Sequence, residues 1–166
     1  MTPEEVRTLI SQGEGQRLEL KRSLAELETG IRATAAMANT DGGHLLFGVR
    51  DDGTILGVQI GAQTKERVVQ ALTDNTDPTL YPSVEYVDLD GRTVIGVAVS
   101  RSDDRPHLVR GRAYKRVGAA DVQMSRAEYE RLLRERPGAE YDGQVVAQAT
   151  LDDIAKKRWR RERQRR

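Results

Sequence analysis

The stretch from Leu27 to Val49 constrains this chain most. Leu27, Ile31, Ala35 and Ala38 recur on one helical stripe, and small Ala33 and Ala36 permit close packing of that helix. Gly42-Gly43 terminates it. His44-Leu-Leu-Phe-Gly-Val49 follows as a nearly continuous apolar run, the pattern of a central strand. Just upstream, Arg17-Leu-Glu-Leu-Lys21 alternates strictly and reads as a strand. Leu18 and Leu20 face inward there, and Glu19 and Lys21 occupy the opposite face.

The flanking segments read as hairpins and helices. Thr2-Pro3-Glu4-Glu5 has the form of a helix start, with Val6, Leu9 and Ile10 as its apolar stripe and Gly13 as its end. Asp51-Asp52-Gly53 is a turn signal, and Thr54 to Ile60 reads as a strand that closes a hairpin on the apolar run. A helix is expected from Thr64 to Thr73. Val84–Leu89, Asp90-Gly91 and Arg92–Val99 form a second hairpin pattern. Leu108 to Val117 reads as one more strand. Ser125-Arg-Ala-Glu128 is a capping box that opens a helix through Arg134, and Thr150-Leu-Asp-Asp153 could open another. The class is α+β: a mixed sheet built from hairpins with flanking helices. One domain over residues 1–150 and a tail over 151–166 account for the length.

Composition narrows the chemistry. The 166 residues suffice for a core without staples. Cysteine is absent, so neither disulfides nor thiolate zinc sites are expected. His44 and His107 are the only imidazoles, so any metal should be a hard, oxygen-bound ion. No apolar run is long enough to cross a bilayer and no leader pattern is visible, so a cytoplasmic protein with no membrane partner is the expectation. The net charge of +1 hides an asymmetry. Lys156–Arg166 holds 8 of the basic residues and one acid, which leaves Met1–Ala155 with 19 basic and 25 acidic residues, a net of −6. Such a tail, with Lys156, Lys157 and Arg158 at its start, favours nucleic acid or an acidic partner; it also fits a solvated end.

Two clusters carry candidate chemistry. Glu14 and Glu19 lie five apart, with Gly13 and Gly15 beside Glu14 to let the chain bend, and Asp51 ends the apolar strand. Three carboxylates from two segments could chelate Mg²⁺ or Mn²⁺, and Lys21 could hold a phosphate as a point charge. The simpler reading makes Glu19 and Lys21 an ion pair on a wet face and Asp51 a turn residue. The second cluster is basic. Arg110, Arg112, Tyr114 and Arg116 recur every second residue, so an unbulged strand would project all four from one face, with Lys115 on the other. Arginines bind phosphates and an interleaved tyrosine can stack on an unpaired base. The same pattern suits the charged outer face of an edge strand.

At these residues the sequence resembles the Schlafen-type AlbA domain, over roughly Glu14 to Leu133. Glu14-x-x-x-x-Glu19-Leu-Lys21 is similar to that family's E-x-x-x-x-E-[FL]-K. Ala38-Asn-Thr-Asp-Gly-Gly-His-Leu-Leu-Phe-Gly-Val49 is similar to its A-N-T-x-G-G-x-[LI]-x-[IF]-G-V, and Ala113-Tyr-Lys-Arg-Val-Gly118 to its late Y-x-R-x-G strand. The resemblance implies an AlbA-like lobe and nucleic-acid binding. In active Schlafens it implies metal-dependent endoribonuclease cleavage of RNA such as tRNA, with the acidic triad falling on Glu14, Glu19 and Asp51. Other members are described as DNA-binding domains of regulators. The zinc cluster of the vertebrate core has no counterpart here, and the second lobe of that core would have to come from a homodimer. Three readings follow: a Mg²⁺- or Mn²⁺-dependent endoribonuclease, a non-catalytic DNA- or RNA-binding regulator, and a protein-interaction module that uses its basic tail. The chain could also be part of a longer protein.

Overall fold

A computed structural model describes residues 1–137. Helix α1 (Pro3–Gln12) begins at a capping box between Thr2 and Glu5 and stops at Gly13, whose φ of 71° returns its N–H to Ile10 O. Strand β1 (Leu18–Lys21), helix α2 (Leu27–Ala38) and strand β2 (Gly43–Phe47) form a crossover unit with β1 and β2 parallel. Helix α3 (Thr64–Asp74) precedes the hairpin of β3 (Ser83–Leu89) and β4 (Arg92–Val99). Its turn places Asp90 and Gly91 at φ of 56° and 78°, the backbone that suits a tight two-residue hairpin. The four strands run in the order β1-β2-β4-β3, so the apolar run lies inside the sheet, as its composition requires.

Both faces of this sheet are covered. Leu18, Leu20, Leu46, Val87, Leu89 and Val94 on one face pack with Val6 of α1. Leu45, Phe47, Ile95, Val97 and Val84 on the other pack under α2 and α3 through Ile31, Ala35, Ala38, Val68 and Leu72. The close approach of α2 rests on small residues. A Cβ added at Gly30 would lie 2.9 Å from the Phe47 ring, so any larger residue there must push the helix off the sheet.

A second, smaller sheet rests against α2. It joins β5 (Leu108–Val109), β6 (Arg112–Val117) and β7 (Ala120–Gln123) in that order, and helix α4 (Arg126–Arg134) closes its far side through Ala113, Met124 and Leu132. The Ser125–Glu128 capping box opens α4 as the sequence indicates.

Two expected strands need correction. Thr54 to Ile60 forms no strand; one isolated bridge, Val49 to Ile55, is all that pairs there. Gly48 and Gly57 both take positive φ, and the N–H groups of Leu56 and Gly57 converge on Gly48 O, so the ladder cannot continue. The segment from Leu108 to Val117 is two strands, because Arg110 and Gly111 at φ of 51° and 73° turn the chain back on itself. Thr150–Asp153 and the basic tail lie outside the described residues.

Candidate functional site

Arg116 decides the geometry of the first cluster. It projects from β6 toward β1, and its side chain has no solvent exposure. Its guanidinium donates to Glu19 Oε2 at 2.5 Å, Asp121 Oδ1 at 2.8 Å, Gly15 O at 3.0 Å and Leu18 O at 3.1 Å. Asp121 is its direct cross-strand partner on β7. Burial by itself would lower the Arg116 pKa, but the hydrogen bonds it donates to Asp121 and Glu19 outweigh it and raise the value. A charge so deeply placed needs such a complete set of partners.

The same contacts occupy the proposed metal ligands. Lys21 Nζ holds Glu19 Oε1 at 2.5 Å, so both oxygens of Glu19 are engaged by cations. Glu14 Oε1 accepts the Leu20 N–H at 2.9 Å. Asp51 sits exposed in the turn beyond β2. The three segments do adjoin, since Lys21 O accepts from both Gly48 N and Val49 N. The carboxylates themselves do not converge: among the described residues no three His, Cys, Asp or Glu side chains are grouped to hold a metal. Glu14, Glu19 and Asp51 as they stand therefore do not fit a divalent-ion site. The wet face expected for Glu19 is also absent, because β6 and α2 cover it and leave Glu19 7% exposed.

The basic stripe divides. Arg112, Tyr114 and Arg116 do share a face of β6, and Lys115 takes the other, where it pairs with Glu128 of α4 and helps hold that carboxyl down to about 2. The shared face turns inward to α2. Arg110 belongs to the turn, where it pairs with Glu28 at 2.7 Å. Arg116 is unavailable to a ligand. What remains is a groove of about 390 Å³ between α2 and the β5–β6 turn, lined by Glu28, Arg32, Arg110, Arg112 and Tyr114. Arg32 lies with its guanidinium 5.7 Å from the Tyr114 ring centroid, within cation–π range. Lys156, Lys157 and Arg158 fall outside the described residues.

Arg32 and Asp121 are the residues that sequence reasoning missed. Arg32 lies one helical turn after Glu28, and Asp121 sits opposite Arg116 across a Gly118-containing turn; either spacing could have marked them. The Asn39-Thr40 pair has a structural role. Asn39 Nδ2 donates to His107 O and Tyr114 O, its Oδ1 accepts His107 N–H, and Thr40 Oγ1 accepts Arg116 N–H. These bonds stitch the small sheet to the end of α2.

A family model described as Schlafen, AlbA_2 matches residues 14–125, most of the folded body. This chain belongs to the Schlafen AlbA_2 family. The AlbA_2 fold recurs in solved structures at identities that speak to fold alone. The crystal structure of the DIP2311 protein from Corynebacterium diphtheriae superposes with a TM-score of 0.61 at 21% identity over 81% of this chain, which spans 28% of that protein. The solution structure of the N-terminal domain of a RecG-related protein from Nitrosomonas europaea gives 0.55 at 21% identity, covering 75% of this chain and 94% of that domain. No curated protein matches the chain. Membership of the AlbA_2 family points to association with nucleic acid. No helix among the described residues is long and apolar enough to cross a membrane.

Proposed function

We infer that this AlbA_2 domain binds nucleic acid, with RNA as the first candidate, through the groove between α2 and the β5–β6 turn. One observation carries the reading: Arg32, Arg110 and Arg112 surround the partly exposed Tyr114, with Glu28 as the one carboxylate among the lining residues. Guanidinium groups neutralise phosphates, and the arginine over Tyr114 offers its own plane for stacking. DNA remains an alternative ligand, supported by the name of the Nitrosomonas europaea protein, which relates it to a DNA helicase. Fluorescence anisotropy with tRNA and with DNA, repeated across a salt series, tests the reading. Binding should weaken steeply with salt, and Arg112→Ala should reduce the log–log slope by about 1. Binding that ignores salt, or is absent for both polymers, would remove nucleic acid as the ligand.

A second reading, metal-dependent cleavage of structured RNA such as tRNA, draws on the adjoining positions of the segments that carry Glu14, Glu19 and Asp51. It requires Glu19 to leave Arg116 and Lys21. Incubation of tRNA with the protein and Mn²⁺, beside Glu19→Ala and an EDTA control, separates cutting from binding. Intact RNA in every lane would leave binding alone.

A further inference from the structure

One end of the large sheet carries a second groove, unrelated to the stripe on β6. Its volume is about 740 Å³, the larger of the two. Strand pairing lays out its residues in order. Arg17 leads into β1, and its carbonyl accepts the His44 N–H of β2 at 2.8 Å. Gly42 leads into β2, and Gly43 is its first residue. Arg101 follows β4, and Tyr81 precedes β3, whose Ser83 pairs with Ala98. Arg17, the glycine pair, Arg101 and Tyr81 thus form a row across four strand ends. With strands about 4.8 Å apart, the two arginines sit roughly 10 Å from each other and the row extends about 14 Å.

Three features make this row a surface for a ligand. Tyr81 is 84% exposed, unusual for so large a ring, and it follows a segment whose backbone is tied down. The neighbouring Leu80 is buried in the main core, and the Leu80 N–H is held by Thr76 Oγ1 at 2.9 Å. His107 Nδ1 bonds Pro78 O in the same loop. The ring is therefore displayed by a fixed loop. Next, Arg17 and Arg101 are exposed, and neither has an ion-pair partner among the described residues. Finally, no side chain rises between them, where Gly42 is buried and Gly43 half-buried. A Cβ at Gly42 would lie 2.7 Å from Val99 O, and one at Gly43 2.6 Å from Arg17 O, so no side chain can stand in the row at either position. Two carboxylates also line the groove, Asp41 and Asp104; Asp41 Oδ2 already accepts from Gln16 Nε2.

We propose that this sheet end is a subsite for a short single strand of nucleic acid, with an unpaired base stacked on Tyr81 and successive phosphates against Arg101 and Arg17. The inference rests on the nucleic-acid reading above but assigns it a different surface. A duplex keeps its bases paired and stacked, so it cannot use Tyr81 and loses that share of binding.

The test measures anisotropy of a fluorescein-labelled oligouridylate of about 6 nucleotides and of a blunt duplex, on the full chain. Tyr81→Ala should weaken the single strand by roughly 5- to 150-fold and leave the duplex unchanged. Joint replacement of Arg17 and Arg101 by Ala should lower the salt slope for the single strand by about 1 to 2. These side chains are exposed, so unchanged melting confirms that the variants are folded. If Arg112→Ala weakens the oligonucleotide while the Tyr81 and Arg17/Arg101 variants bind as wild type does, the subsite is overturned and the nucleic-acid reading survives. If wild type binds neither probe, both fall. If polyglutamate displaces the oligonucleotide as well as unlabelled oligouridylate does, the row is a general anion surface and the base-stacking claim is overturned.

Discussion

Arg112 and Arg116 lie four residues apart on the same face of β6, with the same side chain and opposite surroundings. Arg112 is exposed at the mouth of a groove, whereas Arg116 is enclosed by β1, β7 and the loop at Gly15. The difference arises from what lies across from each. At the Arg116 end, Glu19 and Asp121 stand ready to neutralise a buried cation; at the Arg112 end the turn at Arg110-Gly111 carries the chain out into solvent. Arginine identity therefore says little about role on this strand. Whether a carboxylate is fixed opposite decides between a buried fastener and a guanidinium left open to solvent.

Breaking the buried end should have the largest effect. Arg116→Ala strips buried Glu19 and Asp121 of the guanidinium they share and leaves them only Lys21 and the more distant Arg32, a loss of about 3–5 kcal/mol and a melting point lower by on the order of 10 °C. Chemical denaturation measures the first and calorimetry the second. A loss near zero would mean that the small sheet is held by other contacts. Asn39→Ala comes next. It strands the His107 N–H and two carbonyls where water has little access, which costs about 2–3 kcal/mol in the same assay. Recovery by Asn39→Asp should be partial at best, since a carboxylate cannot donate to His107 O and Tyr114 O.

A smaller effect depends on pH. His107 is buried between Pro78 O and Ser102 Oγ, and burial lowers its pKa from histidine's ordinary 6.5 against the opposing pull of the Pro78 bond. Burial lowers the pKa of His44 as well. The unfolded chain then takes up protons before the folded one does. Stability should be full above pH 6.5 and decline as pH falls from there toward the folded-state values. Urea titrations between pH 7.5 and 5.5 follow this. His107→Gln should flatten part of the decline, and an unchanged profile would place its origin elsewhere. At the open end, stability should hardly respond: Arg112→Ala is expected within about 0.5 kcal/mol of wild type while it weakens nucleic-acid binding. Glu28→Ala should have the smallest effect, a modest gain in affinity as Arg110 is released from its exposed pair. If Arg112→Ala unfolds the protein, or Arg116→Ala spares it, the contrast between the two ends is wrong.

Much of the fold is legible locally. The Thr2 and Ser125 caps, the stop at Gly13 and the Asp90-Gly91 turn each follow from a few adjacent residues, because capping and turn preferences are short-range physics. The failures at Thr54–Ile60 and at Arg110-Gly111 are also local, but depend on φ values that composition does not announce. Arg110 in particular is not a residue expected in the left-handed region.

The sequence by itself determined that Arg112, Tyr114 and Arg116 share one side of a strand, that Glu19 and Lys21 share one side of another, and that Gly42-Gly43 separates a helix from a central strand. Alternation and helix termination need no distant partner. Only the tertiary structure decided that the arginine face turns toward α2, that Glu19 ends up beneath it in the grip of Arg116, and that Arg17, Arg101 and Tyr81 meet at one sheet end. Those outcomes join residues as far as 97 positions apart in the chain. Strand order and layer packing bring them together, and no sequence window contains either.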